Sequence, residues 1–346
     1  MKVLRGGFRP FVYALMAAVT FAVLIVCVSV GSVRVPLLDT LRVVFSTVFK
    51  KPVPEDIAFP SIISAVRLPR VLCVALTGAA LSLCGGAMQG LLKNPLADGS
   101  TLGVSSGASL GAVIAIAFGV AIPSLPLAGT VAMAMLFAFL SLLVILGLAW
   151  RLDFSLSTNT IILIGVVYSM FVSSAMNIIV TFASDRVKQI TFWTMGSLSG
   201  STYANAAMLF FALVLFGGAI LLRAEELNAF AVGEENARHL GVNVRRIKLT
   251  VLVCVSGLIG VCVSVGGTIG FVGLVTPHIM RLIVGPNHKR LLPACLFGGS
   301  VFLMLSDLAA RTVLSPLELP IGVVTSLIGA VLFVYVYSAS RRKNHA

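Results

Sequence analysis

Residues 249–285 read LTVLVCVSGLIGVCVSVGGTIGFVGLVTPHIMRLIVG, and the way this run divides decides the fold. Arg281 is its one formal charge. A bilayer core is about 30 Å thick and a helix rises about 1.5 Å per residue, so about 20 apolar residues cross it. A single helix over the whole run would overshoot that thickness. Gly266-Gly267-Thr268-Ile269-Gly270 supplies an interruption, because clustered glycines mark turns. The run reads either as one bent helix or as two helices, near 249–266 and 269–285, that meet at a turn, and length favours two.

Working outward, similar apolar runs lie near 10–31, 69–92, 101–122, 127–150, 160–182, 203–222, 291–311 and 319–338. The composition agrees. Of 346 residues, 58 % are hydrophobic and 11 % charged, with a mean hydropathy of +1.07. Soluble domains carry about 25 % charged residues, so this chain has too little polar surface to cover a soluble globule. A soluble enzyme, a disordered chain and a disulfide-knit secreted domain are excluded. The reading is an all-α polytopic membrane protein of about ten transmembrane helices with both termini cytoplasmic. Lys2, Arg5 and Arg9 ahead of the first run admit a cleaved signal peptide, but bulky Val26 stands where cleavage would want a small residue. A retained first helix is the simpler reading.

The net charge of +13 then concerns orientation rather than nucleic acid. Most of the 25 basic residues fall on the inner side in this topology, among them Lys93, Arg151, Arg223, Arg238, Arg245, Arg246, Lys248, Lys289 and Arg290. That bias follows the positive-inside rule. An outer minority, including Arg42, Lys50, Lys51, Arg67, Arg70 and Arg311, needs its own account. Two connections are long. Residues 32–66 form an outer segment with Pro36, Pro52, Pro54 and Pro60. Residues 223–248 form an inner segment with four of the 12 acidic residues and read as short helices outside the bilayer. A solvated loop is the alternative.

Several chemistries are missing. No lysine is followed by Ser or Thr, so the chain lacks the Gly-Lys-Ser/Thr that holds phosphate and Mg²⁺ in P-loop ATPases. Any ATP use falls to a partner. The six cysteines lie in or beside apolar runs without a Cys-x-x-Cys spacing and read as small core residues. His278 reads as a hydrogen-bonded structural group, and no metal site is expected. Asp307 is the exception in spans almost free of acids, and Arg311 lies at i+4 as a natural ion-pair partner. Ion-coupled carriers place carboxylates in the membrane, so a stand-alone secondary carrier is the weaker reading.

Other features have bland and sharp readings. Gly103, Gly107 and Gly111 repeat every four residues, which lets a second helix approach closely. Arg67-Leu68-Pro69-Arg70 puts two arginines at an outer helix start. They serve either as caps and headgroup ligands or as exposed docking residues for an acidic partner. Lys93-Asn94-Pro95-Leu96 stops one inner helix end and Ser157-Thr158-Asn159 opens another.

Together these residues resemble the FecCD-type permeases, the membrane subunits of ATP-driven importers for iron-siderophores, haem and vitamin B12. The resemblance rests on Arg67-Leu68-Pro69-Arg70, Gly78-Ala79-Ala80-Leu81, Gln89, Asn94-Pro95-Leu96-Ala97-Asp98 and Leu102-Gly103. It continues through Trp193-Thr194-Met195-Gly196, Gly233-Glu234, Ala237, Leu240-Gly241, Gly270 to His278, Asp307, Arg311 and Glu318-Leu319-Pro320. Gly99 and Val331 depart from it where prolines are usual. The resemblance implies one permease domain over 1–346, with 32–66 as an outer segment and 223–248 as cytoplasmic coupling helices. The expected partners are a second permease copy or homologue, two cytoplasmic ATPases that hold ATP and Mg²⁺, an extracytoplasmic binding protein and the lipid bilayer. No cofactor is expected in this chain, and the setting is a bacterial or archaeal inner membrane. The cargo expected is iron-siderophore, with haem or vitamin B12 as alternatives.

The resemblance also assigns roles. Arg67, Arg70 and Arg311 would dock the binding protein. Asn94, Leu96, Thr158 and Asn159 would form the cytoplasmic gate, with Asn159 in place of a hydroxyl. Gly233, Glu234, Ala237, Leu240 and Gly241 would couple to the ATPases.

Overall fold

The structure is a computed structural model that describes residues 10–31, 35–52, 57, 60–120, 128–153 and 157–344. Lys2, Arg5, Arg9 and Pro54 lie outside the described residues. No strand occurs among those described. Among the described residues, seven helical stretches are long and apolar enough to cross a membrane. They are α1 (Pro10–Ser29), α3 (Leu68–Leu92, entered through a π-helical turn at Ile62–Arg67), α5 (Ala128–Leu152) and α6 (Thr158–Phe182). The others are α8 (Tyr203–Ala212), which runs through a π turn into α9 (Gly218–Leu221), then α12 (Val244–Gly266) and α14 (His288–Thr312). Shorter apolar stretches stand at the remaining runs: α4 (Val104–Ala117), α13 (Val272–Val284) and Ile321–Tyr335, the apolar part of α15 (Ile321–Asn344). Four further helices lie in the connections: α2 (Leu37–Val48), α7 (Val187–Thr194), and α10 (Ala224–Val232) with α11 (Glu234–His239), the short helices expected within 223–248.

The 249–285 run is two helices. Between α12 and α13 the chain leaves helical geometry, with Gly267 at φ +68° and Phe271 at φ +67°. A Cβ on Gly267 would sit 2.3 Å from the Trp193 carbonyl oxygen, so only glycine fits that turn. Neighbouring backbone satisfies the break. Ser197 N donates to the Gly266 carbonyl at 2.8 Å, and Thr268 Oγ1 donates to the Thr194 carbonyl. Non-helical backbone inside a bundle needs such partners, because lipid offers none.

Helix α13 contains Pro277, which has no N–H to give the Gly273 carbonyl. Gln89 of α3 fills that gap. Its Nε2 donates to the Gly273 and Leu274 carbonyls at 3.4 and 3.2 Å, and Arg281 Nη2 donates to its Oε1 at 3.0 Å.

The centre of the bundle is α3 with α14, antiparallel and in close contact. Arg70 meets Asp307 at one end, Gly78 meets Gly299 midway, and Gly90 meets His288 at the other end. A Cβ on Gly78 would lie 2.2 Å from the Gly299 carbonyl oxygen. Lipid tails are as apolar as leucine, so helices in a bilayer associate through close packing of small residues rather than water exclusion. The same logic joins α4 to α5. Gly107 abuts Ser141 and Gly111 abuts the Met133 carbonyl, as the four-residue glycine spacing implied. Gly103 has another task, ending the turn before α4 at φ +81°.

Candidate functional site

A cavity of about 650 Å³ opens against α4, α6 and the α12–α13 break. Hydroxyls dominate its polar wall: Ser105, Ser106 and Ser109 from α4, Ser169 and Ser173 from α6, and Thr194 and Thr268. Met170 and Met176 add thioethers, and Leu81, Ile259 and Val263 add apolar surface. Asp98 is the one ionisable side chain in this wall. Hydroxyls of this kind offer weak, rotatable hydrogen bonds to a solute in the cavity.

Asp98 lies outside the spans, in the connection between α3 and α4, yet it reaches the bundle. After α3 ends at Leu92, Lys93 turns the chain at φ +49° and residues 94–102 fold back into the bundle. Gly99 packs on Ile259 and Val255 of α12, and Asp98 Oδ1 lies against Gly273 at the start of α13. Gly99 N donates to that same oxygen at 2.7 Å. A carboxylate beside the first turn of a helix is favoured by its partial positive charge. An ionisable group folded back among membrane-spanning helices is also a functional candidate in its own right.

The four predicted gate residues lie at the ends of two helices. Asn94 Oδ1 accepts from Leu96 N at 2.9 Å, a local turn that leaves Leu96 51 % exposed. Thr158 and Asn159 occupy the first turn of α6, half-buried and exposed respectively. The capping there belongs to neighbours: Ser157 Oγ accepts from Thr160 N, and Asp153 Oδ2 accepts from Ser157 N and Thr160 Oγ1 at 3.0 and 3.1 Å.

The three docking arginines are corrected in one respect. The docking reading takes them as exposed, and all are buried: Arg67 is 5 % exposed, Arg70 8 % and Arg311 7 %. Arg67 Nη1 donates to the Val28 and Ser29 carbonyls, while Arg311 donates to those of Cys27 and Val30. The C-terminal carbonyls of a helix lack internal partners, so two arginines cap the end of α1. Arg70 donates Nε and Nη2 to Asp307 Oδ1 at 3.1 and 3.0 Å, and Nη1 to Glu318 Oε2 at 2.9 Å. Asp307 also faces Arg311 Nε at 2.9 Å, a close ion pair rather than an aligned hydrogen bond. Glu318 is the accessible member, its side chain 47 % exposed.

At the opposite end, the 223–248 segment forms short helices. Gly233 joins α10 to α11 at φ +126°, and Gly241 follows α11 at φ +82°. Leu227, Phe230 and Ala237 are wholly buried and anchor the segment. Glu234 accepts from the buried Lys248 ammonium of α12 at 2.8 Å. Asn228 ties α10 to α14: its Nδ2 donates to Asn287 Oδ1, and its Oδ1 accepts from His288 N at 2.8 Å, with His288 Nδ1 at 2.9 Å. Arg245 stacks on the Trp150 ring at 3.8 Å, joining α12 to α5. Val232 and Leu240 stand out from this segment, 65 % and 69 % exposed.

Reading residues alone missed Ser169, Ser173 and Asp98 as cavity wall. The four-residue spacing of Ser105 to Ser109 and of Ser169 to Ser173 was the available signal, since it puts hydroxyls on one helix face. All six cysteines are buried thiols.

The model of the FecCD transport family matches residues 19–339. The chain is 41 % identical to YvrB of Bacillus subtilis, an uncharacterised ABC transporter permease, over 92 % of this chain and 91 % of that protein. It is 38 % identical to the hemin transport permease HmuU of Yersinia pestis, covering 80 % and 83 %. It is 36 % identical to the cobalamin import permease BtuC of Halobacterium salinarum, covering 86 % and 78 %. A solved structure described as a metal-chelate type ABC transporter in an inward-facing conformation superposes with a TM-score of 0.82. It is 29 % identical and covers 96 % of this chain and all of that one.

Proposed function

The chain belongs to the FecCD transport family, and from that premise we propose what it moves and how. It is a multi-pass membrane permease of an ABC importer of the metal-chelate, haem or vitamin B12 type, and it works with other ABC subunits. Our reading of the cargo is an iron-siderophore, delivered by an extracytoplasmic binding protein and passed along the boundary between two permease copies. ATP and Mg²⁺ are held by two ATPase partners.

One observation supports this mechanism most. Residues 93–102 carry the Asn94–Leu96 turn at one end and the Asp98 wall of the cavity at the other, so a shift of the turn shifts the wall. In this reading the ATPases grip the α10–α11 segment around Gly233, Glu234, Ala237, Leu240 and Gly241. The exposed Val232 and Leu240 supply apolar contact, while Glu234–Lys248 and Asn228–His288 pass motion to α12 and α14. Asn94, Leu96, Thr158 and Asn159 then part as the gate. Docking falls at the arginine end. A partner carboxylate would take the place of Glu318 on Arg70, while Arg67 and Arg311 hold the end of α1 in position.

The test is reconstitution of the permease with its ATPases and binding protein in liposomes. Uptake of a ferric siderophore that requires ATP and the binding protein supports the reading; uptake confined to haemin or cobalamin replaces the cargo. Asp98 favours a second reading, an ion-coupled carrier. Uptake by the permease alone, driven by a proton gradient and lost in Asp98→Asn, would establish that reading instead.

A further inference from the structure

The cavity beside α6 has a charge pattern that limits the kind of chelate it can pass. Both gate segments run into its wall. Asn94 and Leu96 lead to Asp98, and Thr158 and Asn159 open α6, which supplies Ser169 and Ser173 further along. Its volume of about 650 Å³ suits a solute of drug size.

Formal charge in the wall is one-sided. Among the described residues that line the cavity, no lysine, arginine or histidine occurs, and Asp98 is the acid. The wall includes the first turns of α4, at Ser105 and Ser106, and of α13, at Gly273. A helix start carries partial positive charge and draws an anion. The chain supplies that anion itself: Asp98 Oδ1 accepts from Gly99 N at 2.7 Å and lies against Gly273. A second anion, entering from solution, would give up hydration and meet no opposite side-chain charge in return. A neutral or cationic solute loses less, because serine hydroxyls both donate to it and accept from it.

On the importer reading given above, on which this inference rests, the wall meets the chelate itself. Ferric iron held by three hydroxamates is neutral, whereas three catecholates leave a net negative complex. We propose that the permease passes ferric chelates without net negative charge, of the trihydroxamate class, and discriminates at this wall against anionic ones. The wall thus filters cargo after the binding protein has released it.

Uptake by the permease reconstituted with its ATPases and binding protein tests this. One ferric trihydroxamate is offered with its terminal amine free, acetylated or succinylated, which makes the same iron centre cationic, neutral or anionic. Each form is supplied at a saturating concentration, so capture does not set the rate. The first two should enter about tenfold faster than the succinylated form, the effect of one unit charge facing a carboxylate at an effective dielectric of about 20. Ser173→Lys puts a cation at an exposed wall position and should speed the succinylated form several-fold relative to the free amine. A merely structural change would alter all three rates alike. Equal entry of the three forms into wild-type liposomes overturns the charge filter and leaves the siderophore reading standing. An unchanged ratio in Ser173→Lys overturns it too, and the wild-type ratios decide if that variant does not assemble. Entry of none, with haemin or cobalamin carried instead, removes the siderophore reading and this inference with it.

Discussion

Helices α3 and α6 are both apolar enough to cross a membrane, yet 78 % of the apolar window ending in α3 is buried against 22 % of that in α6. Hydropathy does not separate them. Small residues do. Helix α3 meets its neighbours through Gly78, Gly85 and Gly90, each touching backbone or a buried ring, whereas Leu163, Phe171 and Ile178 project outward from α6. In lipid, an exposed leucine is at no disadvantage, so apolarity sends a helix into the membrane without telling it which neighbour to choose. Close approach makes that choice, and glycine permits it. The contrast also matches the division of labour: α3, α12 and α14 form the frame, while α6 turns its serines toward the cavity.

The contrast can be broken at its strongest point. A Cβ on Gly85 would lie 1.8 Å from the Gly273 carbonyl oxygen. Gly85→Ala should therefore push α3 from α13 and cost more than about 3 kcal/mol, at the upper end of overpacking effects. Loss of the monodisperse peak in detergent size-exclusion chromatography would report it, and a normal peak with an unchanged melting temperature would refute the frame.

A smaller effect sharpens it. Gln89→Leu keeps the volume but removes the donor that serves the Gly273 carbonyl left open by Pro277. An unmet buried carbonyl costs about 1–3 kcal/mol, so thermal stability should fall measurably while the fold persists. Hydrogen exchange should rise first around residues 267–277, and unchanged exchange there would count against the role given to Gln89.

The smallest effect lies at the periphery. Gly147 of α5 has open space where a Cβ would go. Gly147→Ala should be neutral or stabilise by up to about 1 kcal/mol through helix propensity. A loss of stability would show that α5 is packed by a partner on that side.

Much of this was legible in the residues. The length of apolar runs placed the helices to within a few positions, and clustered glycines divided 249–285. The family resemblance was carried by separated motifs. Site geometry was less legible, for a consistent reason. Arg67-Leu68-Pro69-Arg70 says that charge sits at a helix start, but whether a guanidinium faces outward depends on which carbonyls come near. Here the orphaned end of α1, far away in the chain, takes Arg67 and Arg311 inward. Asn94 to Asp98 reads as a stop after a helix. That the chain then re-enters the bundle depends on Gly99 fitting against Ile259 and on Asp98 meeting Gly273.

What the sequence determined by itself is the solvent: an apolar chain with few charges belongs in a bilayer as helices, since only internal hydrogen bonds satisfy the backbone there. Tertiary structure decided which helices form the frame, which polar groups are capped and which line the cavity. Those outcomes depend on contacts between residues up to hundreds of positions apart, such as Arg70 with Asp307 or Asn228 with His288. No local pattern encodes such a meeting, because it exists only once the helices have packed.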